Sequence, residues 1–219
     1  MSKKYFFQFI AFIYLCLQLH MPLNARDDCA ILFVHIGEKI PDYAETALIQ
    51  ARKFNPDSPI IMLANQQAID AFSLKDQETN ITYISCESLA KTDQHKRFIR
   101  KIKWNKGFWR YTSERFLYIC DLMIQHNLQN VFHLEYDNML YANLTELLPI
   151  FKNYYKGIAA TFDNDQRCIP GFVFIPNQQV MNYLAKCFAD HAHKGLNDME
   201  VLAKFKDEYG SKYIDYLPI

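Results

Sequence analysis

Glu135 and Asp137, two residues apart in "NVFHLEYDNMLY" (130–141), are the side chains best suited to do chemistry in this chain. Val131, Phe132 and Leu134 before them fit a strand interior. An unpaired buried charge is very costly, so the polar group Glu135, Asp137 and Asn138 marks the end of that strand. Side chains two apart on an extended backbone project to the same side, which lets the two acids act together. Hard oxygen ligands at this spacing suit Mg²⁺ or Mn²⁺ shared with the phosphates of a substrate. A solvated turn, with Asp137 and Asn138 serving turn geometry, explains the same residues without a ligand.

The segments that must position these acids alternate between strand and helix patterns. "AILFVHI" (30–36) is a short apolar run rich in β-formers. After Pro41, which a first helical turn tolerates, Tyr43, Ala47, Leu48, Ala51 and Phe54 recur at helical spacing. "PIIMLA" (59–64) completes a βαβ unit and "ITYIS" (81–85) adds a third strand. "TSERFLYICDLMIQHN" (112–127) predicts a helix that leads into the acidic strand. Asn143 with Glu146 resembles a capping box opening a helix through about residue 155. "GIAATF" (157–162), "FVFI" (172–175) and the terminal "YIDYL" predict strands, with helices at about 177–190 and 198–209. The alternation predicts one α/β domain over residues 29–219, with a mainly parallel central sheet flanked by helices. Ligands bind such sheets beyond the carboxyl ends of the strands, where Glu135 to Asn138 lie.

A βαβ half followed by a strand, an acid-x-acid triplet and a helix resembles the GT-A nucleotide-diphospho-sugar transferases. Glu135-Tyr136-Asp137 stands where that superfamily carries a DxD motif, as a less common variant. "GFVFIPN" and "NDME" look like the later, acceptor-side elements. The resemblance implies a Rossmann-like GT-A domain and transfer of a sugar from a nucleoside diphosphate to a glycan or other hydroxyl acceptor. It implies Glu135 and Asp137 as ligands of Mn²⁺ or Mg²⁺, with Tyr136 and Asn138 among the donor contacts. His35, ending the first strand, corresponds to a contact to nucleotide base or ribose, and a packed histidine is the alternative. Arg110, just before the long helix, would neutralise the donor pyrophosphate with its fork of donors. Arg115 is the lesser candidate, with a surface ion pair as its alternative. Asp198 and Asp163 are the candidate catalytic carboxylates, as base or acceptor contact. Helix capping accounts for Asn197, and a polar loop for Asp163, Asn164 and Asp165. A short domain is also expected, because no histidine after Asp198 completes the cation's protein ligands. The alternative is a non-catalytic secreted domain that binds a glycan or partner. A phosphatase of the DxD type fits poorly, since its nucleophile would be an aspartate where Glu135 stands.

The totals constrain the rest. The 219 residues carry 24 basic and 24 acidic side chains, so net charge gives no case for nucleic acid. The stretch "KTDQHKRFIRKIKWNKGFWR" (91–110) is basic and includes Trp104, Phe108 and Trp109. A solvated helix face is its ordinary meaning, and a flexible segment near the donor phosphates is the functional one. Lys3 and Lys4 precede the apolar run "YFFQFIAFIYLCLQL", so residues 1–25 read as a signal peptide cleaved after Ala25, or as a signal anchor giving membrane association. Either one implies the secretory pathway: periplasm or envelope in a bacterium, the lumen of endoplasmic reticulum or Golgi in a eukaryote. Six scattered cysteines form no zinc-ligand spacing, with one bridge between Cys168 and Cys187 conceivable. Asn80 and Asn143 head glycosylation triplets. His191 and His193, in "DHAHKG", read as a frayed helix end.

Overall fold

A strand buried on both faces has to be apolar at nearly every position. Three runs meet that demand: every residue of 30–34, 60–64 and 131–134 is buried. The computed structural model describes residues 29–72, 79–103 and 107–218. In chain order these form β1 (Ala30–His35), α1 (Ala44–Phe54), β2 (Ile60–Ala64), α2 (Gln66–Ala71), β3 (Thr82–Ser85), α3 (Asp93–Lys101) and α4 (Phe108–Gln125). There follow β4 (Val131–Leu134), α5 (Leu144–Tyr154), β5 (Ile158–Asn164), β6 (Arg167–Ile175), α6 (Gln178–His191), α7 (Asp198–Tyr209) and β7 (Ile214–Tyr216). The expected strands and helices are therefore present. The leader, residues 1–25, lies outside the described residues. No described helix is long and apolar enough to cross a membrane.

The strands make one sheet in the order β3-β2-β1-β4-β6-β5-β7. Pairing is parallel except where β6 runs against β4 and β5. Strand order reverses between β1 and β4, the place where α/β sheets open a crevice for ligands. Side chains alternate across the sheet, so Ala30, Leu32 and Val34 of β1 face α4, α6 and α7, whereas Ile31 and Phe33 face α1 and α5.

Local chemistry sets the helix ends. Asn143 accepts from the backbone N–H groups of Thr145 and Glu146, and Asn197 forms a full capping box with Glu200. Asn127, left-handed at φ 53°, ends the α4 region just before β4. The basic stretch is not a loop over its first part: Thr92 caps α3, which the fully buried His95 pins to Asp121 and Glu114 of α4. Trp104 lies outside the described residues. Cys168 and Cys187 are buried thiols and form no bridge.

Candidate active site

A cleft of about 300 Å³ opens at the switch point. It is lined by Val34, His35 and Ile36 from the end of β1, by Glu135, Tyr136 and Asp137 from the end of β4, and by Tyr43 and one face of α4. That face presents Phe108, Tyr111, Thr112 and Arg115, spaced three, four and seven apart, as a single stripe of a helix must be.

Arg115 is the charge at its centre. One guanidinium nitrogen donates to Glu135, and the other donates to Asp198 at 2.8 Å. Arg115 and Asp198 are 7% and 3% exposed, so this contact is shielded from water. Thr112 donates a second hydrogen bond to Asp198, at 3.1 Å. The expectations for three residues are thereby corrected. Arg115, the lesser of the two arginine candidates, is the guanidinium beside the acidic strand end, and its ion pairs are not at the surface. Arg110 falls on a different stripe of α4, donates to Glu114 at 3.0 Å and does not line the cleft. Asp198, a candidate base, is buried and held by Arg115 and Thr112, so its oxygens are turned to those partners rather than to an acceptor. It positions Arg115.

The acidic turn is fastened to β6. Asn138 closes a turn onto the Glu135 carbonyl at 3.0 Å. The carbonyl of Gly171 accepts from Glu135 N–H at 3.0 Å and from the Asn138 amide at 2.9 Å. Asn138, expected at the donor, thus spends its amide on the loop. A Cβ at Gly171 would lie 2.9 Å from that amide nitrogen and 3.8 Å from a Glu135 carboxylate oxygen. The β5–β6 register breaks here: Ala160 pairs with Val173 but Thr161 with Ile169, leaving Pro170, Gly171 and Phe172 as an irregularity beneath the site. A glycine inside a strand pattern signals such a close approach, and the sequence carries that signal. Asp163 lies elsewhere, exposed at the β5–β6 hairpin with Arg167 at 3.9 Å, and is absent from the cleft lining.

The opposite wall is aromatic. His35 Nδ1 and the Tyr136 hydroxyl hydrogen-bond at 2.9 Å, and the Tyr43 and Tyr136 rings lie 5.9 Å apart. Burial lowers the His35 pKa, which favours the neutral ring. Burial likewise pushes the Tyr136 hydroxyl up to about 12, so it stays protonated at neutral pH. Gly37 folds over this histidine, its missing Cβ 3.0 Å from His35 Nε2.

The residues fit a divalent cation. Glu135 and Asp198 pair with the Arg115 guanidinium and Asp137 lines the same cleft, so three carboxylates accompany one guanidinium, a formal charge of −2. Asp137 is exposed and makes no ion pair or side-chain hydrogen bond among the described residues.

No protein-family profile matches the chain, and no curated protein sequence does. Solved structures do. PaToxG glycosyltransferase superposes with a TM-score of 0.59 at 13% identity, over 82% of this chain and 68% of that one. WbbM, a bifunctional glycosyltransferase, gives 0.53 at 14% over 87% of this chain and 39% of its own. The galactosyltransferase LgtC, solved with donor and acceptor sugar analogues, gives 0.50 at 11% over 85% and 72%. The fold is GT-A. Within that fold the switch-point cleft is lined by Glu135 and Asp137.

Proposed function

We propose that the chain transfers a sugar from a nucleoside-diphosphate donor to a hydroxyl acceptor with the help of Mn²⁺ or Mg²⁺. The observation that carries this reading is one cleft joining an aromatic wall to an acidic, cation-seeking end. His35, Tyr43 and Tyr136 give a nucleobase a stacking surface, a contact worth about 1–3 kcal/mol per base. Asp137 and the remaining oxygen of Glu135 would hold the cation, which supplies charge stabilisation to the leaving diphosphate. Arg115 keeps Glu135 oriented and adds a fixed positive charge near the same end, preorganised by Asp198 and Thr112. The apolar leader of residues 1–25 would place this domain in a secretory compartment, a reading checked by the mass of the mature N-terminus.

The test is a melting-shift panel of sugar nucleotides with and without Mn²⁺, followed by donor hydrolysis. Stabilisation that needs both metal and donor is expected. Asp137→Ala should lower metal-dependent donor affinity at least about tenfold, as loss of a metal contact does. Its melting temperature should hold, because an exposed carboxylate without a protein partner contributes within about 0.5 kcal/mol. Unchanged donor affinity in Asp137→Ala would refute the metal reading. Donor binding without turnover would favour the non-catalytic domain, which the engagement of Glu135 and Asp198 by Arg115 also suits.

A further inference from the structure

We propose that Cys187, His191 and Glu208 form a second cation site, apart from the cleft, for a borderline-soft divalent metal of the zinc class. Cys187 and His191 are four apart on α6 and therefore share a face, and Glu208 meets them from α7. Their ligand atoms all lie within 4.8 Å of one another. His191 Nε2 is 2.7 Å from one Glu208 oxygen, and Cys187 Sγ is 3.9 Å from the other. Zinc bonds of about 2.0–2.3 Å at tetrahedral angles set ligand atoms about 3.3–3.8 Å apart. Glu208 has to move away from His191 to reach that spacing. Its side chain is 43% exposed, which also leaves an entry path.

The donor set selects the ion. A thiolate, an imidazole and one carboxylate suit zinc-like cations, whereas Mg²⁺ and Mn²⁺ favour oxygen alone. Three protein ligands leave the fourth position to water. Asp190 is not a fourth ligand, because Lys186, at 2.7 Å, and Arg97 hold it.

Among the described residues the Cys187 thiol reaches Glu208 and, at 4.0 Å, the Val201 carbonyl. His191 Nδ1 is buried with no hydrogen-bond partner among the described residues. On binding, the thiol proton leaves to solvent, the Nε2 proton of His191 is replaced by one on Nδ1, and no electron moves. The cation would tie α6 to α7, whose first residue is the Asp198 that holds Arg115.

The experiment titrates the full chain with Zn²⁺, and with Co²⁺ as its spectroscopic substitute. A near-ultraviolet thiolate-to-cobalt band saturating at one equivalent is expected. Zn²⁺ at a hundredfold excess over its dissociation constant should raise the melting temperature by about 5–10 °C, and Mg²⁺ should not. Cys187→Ser should lose both signals. Glu208→Gln, a change at an exposed side chain that leaves the fold intact, should keep the band and bind at least about tenfold more weakly. Asp137→Asn should change neither signal, which separates this site from the cleft. Absence of the band in the native chain, its persistence in Cys187→Ser, its loss in Asp137→Asn, or unchanged affinity in Glu208→Gln would each overturn the proposal.

Discussion

A buried guanidinium between two carboxylates resists the loss of any one partner, because the survivors keep their charge without compensation. Arg115→Met should therefore destabilise the protein by about 3–5 kcal/mol in urea unfolding, since it leaves Asp198 buried and unpaired. Adding Asp198→Asn to that variant should restore part of the loss, and a purely additive double variant would show that the two do not couple. The trio also explains why position along the chain does not single out Arg115. Arg110 lies nearer the start of the helix, but helical rotation gives the cleft residues 108, 111, 112 and 115 and turns Arg110 toward Glu114. The spacing is in the sequence. Its meaning needs a second fact, namely which face of α4 the sheet leaves open.

At the scale of elements, two glycines do different work. A Cβ at Gly157 would lie 2.4 Å from the backbone carbonyl of Tyr213, so no side-chain rotation relieves it. Gly157→Ala should pry β7 from β5, costing about 1–3 kcal/mol as overpacking does, seen as a lower melting temperature. At Gly171 the nearest obstacle is the Asn138 side chain, which can swing away. Gly171→Ala should therefore lower melting less than Gly157→Ala while weakening metal-dependent donor binding, because the loop carrying Asp137 loses its anchor. Equal effects of the two substitutions on melting would contradict this division. Arg52 is a further fastening that no motif announces. It donates to the carbonyls of Asn55, Pro56, Ser58, Thr79 and Asn80, and so ties the end of α1 to the approaches of β2 and β3.

At the scale of the whole molecule, the middle strand holds a fully buried histidine. His133 of β4 has Nδ1 3.0 Å from the Leu32 carbonyl, and burial lowers its pKa from the ordinary 6.5 to about 3. Arg115 nearby adds to the depression. Because the folded pKa lies below the unfolded one, the unfolded chain binds more protons in that window. Stability contributed by the neutral ring is present above about 6.5 and is lost as pH falls toward 3. One proton corresponds to a slope of about 1.4 kcal/mol per pH unit. His133→Gln, uncharged throughout, should flatten the acid limb of a stability-versus-pH curve by up to that amount. An unchanged slope would place the acid sensitivity in the carboxylates instead.

The order of strands and helices, the caps at Asn143 and Asn197, and the end of β4 at Glu135 are legible in the sequence. Apolar runs, helical periodicity and capping side chains are local, acting over a few residues, so local pattern suffices to read them. The same logic explains why the acids at 135 and 137 stand out from pattern alone: charge at the end of a buried run has few uses. The partners of those acids are not legible in this way. Arg115 is 20 residues from Glu135 and 83 from Asp198, and His191 is 17 from Glu208. No periodicity records which distant side chains meet. Sheet order, the β6 irregularity at Gly171 and the packing of α7 on α6 bring them together. Along the chain Asp198 has the look of a free base and His191 of a frayed end, because only tertiary packing supplies the groups that occupy them.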